Sequence, residues 1–306
     1  MTRRNSTPEG GDRDDGDRPP TSVGDDAFGR LASDLRLELL AIVARSEAPP
    51  SHSTLLERSS ATDAGRLNYH LRRLGGSLLR ASDEGYELTQ QGRWAHNLLI
   101  ADVLDGETTR EGESIDGPCG HCGAVRVEIA YRGGEGIVTC PSCERTHSAF
   151  DFPPGAARRL ETEAFVEAYA ARTRRFVGLA DEGVCPFCAQ PTRATLEDWP
   201  DPSSPDRGGE PKSCAVRFEC SGCTGRIRAP LGLVLSTRPR VRATLSDHGV
   251  RLTDAPFWTF EWGVFSASKI QEDDPRRVSL DVPLDDTVWR AVVDADVDLA
   301  EWRNVG

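Results

Sequence analysis

Lysine is almost missing from this chain: of 37 basic residues only Lys212 and Lys269 are lysines, and the rest are arginine. Methionine occurs once, and aromatic residues make up 7%. Nowhere do about 18 uncharged apolar residues follow one another, which excludes a membrane-spanning helix from the reading. The first 26 residues hold no apolar run of the kind a signal peptide carries, so a cytoplasmic location is expected. Also lacking are a P-loop, a G-x-G-x-x-G, a G-x-S-x-G and an H-E-x-x-H, and an enzyme is not expected.

What is present is acidic and modular. The 306 residues imply about two domains with room for a small third one, and the apolar content, about 46% with glycine counted and tyrosine left out, lies in the usual globular range and excludes wholesale disorder. Forty-nine acids against 37 bases give a net charge of −12. This Asp/Glu-rich, Lys-poor usage resembles proteins of extreme halophiles, whose carboxylate surface keeps them hydrated in concentrated salt. Acidity then argues only weakly against nucleic acid as a partner. At molar salt a Debye length of about 3 Å leaves short-range contacts in place of long-range steering. Residues 1–24, rich in Pro, Gly, Asp and Arg, read as a disordered polar tail.

From residue 25 the pattern becomes helical. A short segment DDAFGRLAS precedes DLRLELLAIVAR, which stripes Leu35, Leu39, Ile42 and Val43 and has Asp34 as a candidate N-cap. The pair Pro49-Pro50 ends that helix, and Ser51 or Ser53 caps a third one, SHSTLLERSS. In DAGRLNYHLRRLG, with Asp63 as N-cap, Ala64, Leu67, Leu71 and Leu74 share one face. Arg66, Tyr69 and Arg73 then occupy the opposite pole, with Arg72 and His70 beside them. Taken alone, such a face is a solvated surface more often than a reader of DNA, and His70 could equally pack inward. Two alternating runs around Asp83-Glu84-Gly85 predict a hairpin, and QQGRWAHNLLIADVL a last helix.

Helix, helix, short helix, basic helix, hairpin, helix is the order of a winged helix-turn-helix. RLNYHLRRL followed by LLRASDEGYELTQQGR resembles the recognition helix and wing of ArsR-type regulators, in particular haloarchaeal members with a GR-x-NYHL run. The resemblance covers residues 25–104. It implies a DNA-binding transcriptional regulator in which helix 63–74 reads the major groove, with Arg66, Asn68, Tyr69, His70, Arg72 and Arg73 facing DNA and Arg80 near the backbone or minor groove. No cysteine pair stands in STLLERSS, and His96 alone cannot chelate, so the family's usual metal sensing is not expected. Homodimerisation through Leu98, Leu99 and Val103 of the last helix is expected.

Nine cysteines in a cytoplasmic chain point to metal. Eight form four C-x-x-C pairs: Cys119/Cys122, Cys140/Cys143, Cys185/Cys188 and Cys220/Cys223. Two thiolates three apart in a tight turn can reach one ion, and two such turns complete a tetrahedral shell. The spacing predicts two zinc ribbons holding two structural Zn2+, paired in sequence order, although four knuckles allow crossed pairings. The first encloses the strands around Arg132-Gly133-Gly134; the second is interrupted by WPDPSSPDRGGEPKS between the strands TRATLE and CAVRFE. Redox use of the cysteines is the rival reading. Cys214 reads as a small buried hydrophobe, while His121 and His147 stand beside ligands.

LETEAFVEAYAARTRRFVGLADEG is a helix linking the ribbons; two short helices break near Pro239; and RRVSLDVPL with TVWRAVVDAD forms a terminal antiparallel hairpin. The aromatics of PFWTFEWGVF are expected in the core. The layout CGHCG, FDFPPGA, GVCPFC, VRFECSGC, RAPLG, DHGV resembles the carboxy-terminal region of haloarchaeal regulators, which brings no known activity. The fold class is therefore α+β: a tail (1–24), a winged helix-turn-helix (25–104), a linker (105–116) and a zinc-ribbon domain (117–306) that binds an effector or a protein partner. The alternative is a basal initiation factor resembling the large subunit of archaeal TFIIE, and a metal or redox sensor ranks lower.

Overall fold

The computed structural model describes residues 26–104, 106–198, 214–264, 268–273 and 275–306. The tail 1–24, the polar insert 199–213 and Phe265 lie outside the described residues. The chain is mixed α+β and divides into two compact units at Asn97/Leu98, each with its own hydrophobic cluster.

In the first unit α1 (Asp26–Gly29) and α2 (Asp34–Arg45) are followed by α3 (His52–Arg58) and α4 (Ala64–Leu74). The strands β1 (Leu79–Ser82) and β2 (Gly85–Leu88) pair antiparallel, and α5 (Gln90–Ala101) crosses the boundary between the units. Leu35, Leu39, Leu40 and Val43 of α2 meet Leu55, Leu67, Leu71 and Leu74 in the core. Ser33, not Asp34, occupies the N-cap of α2, so the aspartate is the first helical residue. Ser51 caps α3 by accepting the Thr54 N–H at 3.2 Å. Ala64, expected on the buried stripe, is exposed, because as the first residue of α4 it lies a turn short of the leucines that reach the core.

The hairpin is locked to its surroundings through backbone. Tyr86 N donates to Pro50 O at 3.0 Å, and Thr89 caps α5 through the Gly92 N–H while its own hydroxyl donates to Ser77 O. At Gly92 a Cβ would stand 2.1 Å from Leu78 O, so only glycine lets α5 pass the turn after α4.

The second unit opens with a departure from expectation. The stretch 105–116 contains β3 (Arg110–Asp116), which pairs with β4 (Arg126–Arg132) in the sheet β3-β4-β5-β6 with β5 (Glu135–Thr139) and β6 (Thr146–Asp151). Polar REGESID carries little alternation, and one side chain fastens it: Arg110 grips Glu113, donates to Ala157 O and Leu160 O at 3.0 and 2.8 Å, and lies over the Phe165 ring. Those carbonyls belong to α6 (Pro154–Arg159) and its C-cap, and Phe165 to the long α7 (Thr162–Asp181).

β7 (Thr192–Asp198), β8 (Cys214–Cys220) and β9 (Arg226–Pro230) form a three-stranded sheet, one strand more than a lone hairpin, where the first sheet of this unit has two more. The helices α8 (Leu231–Thr237) and α9 (Pro239–Asp247) break at Pro239 as expected. Phe257 and Trp258 in a 3-10 turn and Trp262 in α10 (Glu261–Val264) are buried, Trp258 against Tyr169 with ring centres 6.0 Å apart. The terminal hairpin is the centre of the sheet β10 (Lys269–Asp273), β11 (Arg276–Leu284), β12 (Thr287–Val293) and β13 (Leu299–Asn304).

Candidate metal centres and nucleic-acid interface

The four cysteine pairs close into two tetrads in sequence order: Cys119, Cys122, Cys140 and Cys143, then Cys185, Cys188, Cys220 and Cys223. In each, all sulfurs lie within 4.8 Å of one another. Cys119 Sγ is 3.8 Å from Cys143 Sγ and Cys122 Sγ 3.7 Å from Cys140 Sγ; the matching separations in the second tetrad are 3.8 and 3.4 Å. A tetrahedron with metal–sulfur bonds of about 2.3 Å has edges of about 3.8 Å, whereas a disulfide needs about 2 Å. The two clusters are therefore shaped to hold two metal ions. Cys214 is buried and joins neither; its sulfur faces the Arg276 guanidinium at 3.6 Å.

Three of the four knuckles are tight turns of one kind. The residue after the second cysteine donates its N–H to the carbonyl of the first: Gly123 to Cys119 at 2.9 Å, Glu144 to Cys140 and Ala189 to Cys185 at 2.8 Å. All three have left-handed backbone, φ 72, 58 and 61, although only the first is glycine. Further N–H groups point at sulfur, including Gly222 N to Cys220 and Gly225 N to Cys223 at 3.3 and 3.2 Å. A Cβ on Gly225 would press on Cys185 Sγ and Cys223 Sγ.

The thiols of each tetrad cannot all ionise unaided. Burial opposes ionisation of Cys140, but the N–H groups of Cys143 and Ser142 and the Cys143 and Cys122 thiols overrule it and bring its pKa to about 7; burial, then the Cys140, Cys122 and Cys119 thiols, push Cys143 to about 12 against the Arg145 N–H. In the second tetrad the Gly222 N–H leads in lowering Cys220 to about 7. At Cys188 the Gln190 N–H favours the thiolate, but Cys223, Cys220 and Cys185 outweigh it and carry the thiol to about 12. Four thiolates at one point repel, and a divalent cation is the compensation such a donor set fits.

The tetrads differ in setting. Cys119 and Cys140 are buried, and the first knuckle leans on the aromatic segment: a Cβ at Gly120 would stand 2.9 Å from Trp258 O. His147, 3% exposed, brings Nε2 to 3.4 Å from Cys119 Sγ, and burial pushes its pKa down to about 4, so the ring is neutral. In the second tetrad Cys188 and Cys223 are exposed.

On the first unit α4 presents one coherent surface. The Asp63 carboxylate accepts the Arg66 N–H at 2.8 Å, and that bond holds its pKa below the usual aspartate range. Leu67, Leu71 and Leu74 are buried, and Arg66, Tyr69, Arg72 and Arg73 are exposed. Asn68 is exposed, with Oδ1 bonded to His52 Nε2 of α3 at 2.8 Å, a tie that sequence spacing does not reveal. His70 is half-buried edge-on to Tyr69, and burial, then the charges of Arg36 and Arg66, lower its pKa. Arg80 is paired with Glu87 across the hairpin, whose tip is Asp83-Glu84. A concavity of about 640 Å³ between α4 and the hairpin is edged by Arg72 and Arg80.

A family model described as a domain of unknown function, DUF7351, matches residues 116–299, more than half of the chain. The chain belongs to the DUF7351 family. The DUF7351 region contains both tetrads and starts three residues before Cys119; a second domain of unknown function, DUF7347, matches residues 24–99 and contains α4 with its hairpin. No curated protein and no solved structure matches the chain. Among the described residues no helix is long and apolar enough to cross a membrane.

Proposed function

We propose that this chain is a sequence-specific DNA-binding transcriptional regulator: a winged helix-turn-helix resembling the ArsR type, followed by a DUF7351 domain built on two structural zinc ribbons. The observation that carries the reading is α4. A capped helix anchored by three buried leucines turns Arg66, Tyr69, Arg72 and Arg73 outward on one face, and α3 is bonded across to it through His52–Asn68. Arginine forks match the O6/N7 edge of guanine in the major groove, and the Tyr69 ring adds an apolar surface. The hairpin has a lesser part, because an acidic tip and a Glu87-bound Arg80 face phosphates poorly.

Zinc is the metal of choice for all-thiolate tetrahedra, and four cysteines leave no open position for a reacting water, which supports a structural role over a catalytic one. A second copy of the chain is the partner assigned to the exposed Leu98, Leu99 and Val103, on α5 and just beyond it. Genome-wide occupancy tests the reading. A regulator sits at a few sites sharing one sequence; occupancy at nearly every promoter would instead make the chain a basal initiation factor.

A further inference from the structure

The DUF7351 unit has a second feature that the zinc centres do not use. Among the described residues of the second unit, eleven arginines, among them Arg110, Arg172, Arg238 and Arg290, have a carboxylate within 4 Å, as an acidic chain makes easy. Arg174, Arg175, Arg242 and Arg251 have none among the described residues, and all four line one cavity of about 500 Å³. α7, the end of α8, α9 and the loop after α9 enclose it, and Glu182 is the one acid in its wall.

The placement is built. Arg174 is held from behind by donating to Leu252 O, and its pKa is lowered by burial and then by the charges of Arg175 and Arg242, the mark of cations brought together without compensation. Gly178 forms part of the floor where α7 passes Thr237 at 3.6 Å from a would-be Cβ. Leu179, Leu245, Val250 and Leu252 supply an apolar wall beside the guanidinium groups. Convergent arginines select oxyanions that accept two parallel N–H bonds, and a cavity of this size with an apolar side takes a small molecule larger than an inorganic ion.

We propose that this cavity is the binding site of a small organic anion, a phosphate or carboxylate carried on an apolar body. The full zinc-loaded chain is titrated calorimetrically in concentrated potassium chloride with phenyl phosphate, phenylacetate and inorganic phosphate. One phenyl compound should bind saturably at one site per chain and more tightly than inorganic phosphate. Preference for phenyl phosphate identifies a phosphoryl ligand, and preference for phenylacetate a carboxylate. The double substitution Arg242→Gln/Arg251→Gln, at exposed positions, should weaken binding at least about tenfold with the melting temperature unchanged. Arg174→Gln should weaken it further. Absence of saturable binding by about 10 mM, equal binding to the double variant, or inorganic phosphate binding as well as the phenyl compounds would each overturn the proposal. The readout is on the protein alone, so it stands or falls apart from the DNA-binding reading.

Discussion

Ala189 stands where the second tetrad's first knuckle turns left-handed, at φ 61, and a Cβ in that region costs about 1–2 kcal/mol. Ala189→Gly removes the strain, so the substitution should tighten metal binding by about fivefold, about 1 kcal/mol, in a chelator competition. Unchanged or weaker binding would show that the turn is not under strain. Arg238 makes the opposite case: its fork grips Asp181 at 2.7 and 3.0 Å with both side chains largely buried, and it also reaches Val297 O. Arg238→Met leaves that carboxylate buried and alone and should destabilise the second unit by about 3 kcal/mol in thermal melting. At Asp281 the bidentate bond from Arg290 holds the carboxyl pKa below the ordinary value of 3.8, against some burial. The pair's contribution to stability is therefore complete above the ordinary value and is lost as pH falls through the lower folded one. An NMR titration should place the Asp281 midpoint below 3.8, and Arg290→Gln should raise it.

At the scale of elements, spacing was informative wherever a repeat governs the geometry. The C-x-x-C interval already determines that two sulfurs share a turn, and the 3.6-residue stripe of Leu67, Leu71 and Leu74 already orients α4. The strand β3 was not legible, because its anchor is Arg110 reaching α6 and α7 about fifty residues away, a tertiary bond that leaves no local periodicity. The Asn68–His52 tie, sixteen residues apart, and the four arginines around the 500 Å³ cavity were hidden for the same reason. Element setting also predicts an order of metal loss. The second tetrad exposes two cysteines, Cys188 and Cys223, and buries Cys185, whereas the first exposes Cys122 and buries two, Cys119 and Cys140. Graded chelator should release one ion per chain before the other, and Cys140→Ala should leave a chain holding one metal ion at its second tetrad. Simultaneous loss of both would mean that the tetrads are energetically one site.

For the molecule as a whole, the two units carry different features: the first presents an arginine-rich helix, and the second holds two cysteine tetrads shaped for metal. On the proposed reading, a chain of net −12 in concentrated salt would bind DNA through contacts at hydrogen-bonding range, since salt leaves little long-range attraction to phosphate. The measurement that bears most directly on this account is fluorescence anisotropy of the full chain, in concentrated potassium salt, on the duplex it selects from a randomised pool. Wild-type protein should bind that duplex in preference to a scrambled one. Arg66→Ala/Arg73→Ala, with its melting temperature and metal content unchanged, should lose about 1–3 kcal/mol for each base contact removed, and with it the preference. A double variant that still binds and discriminates like the wild type would contradict the claim that α4 reads DNA.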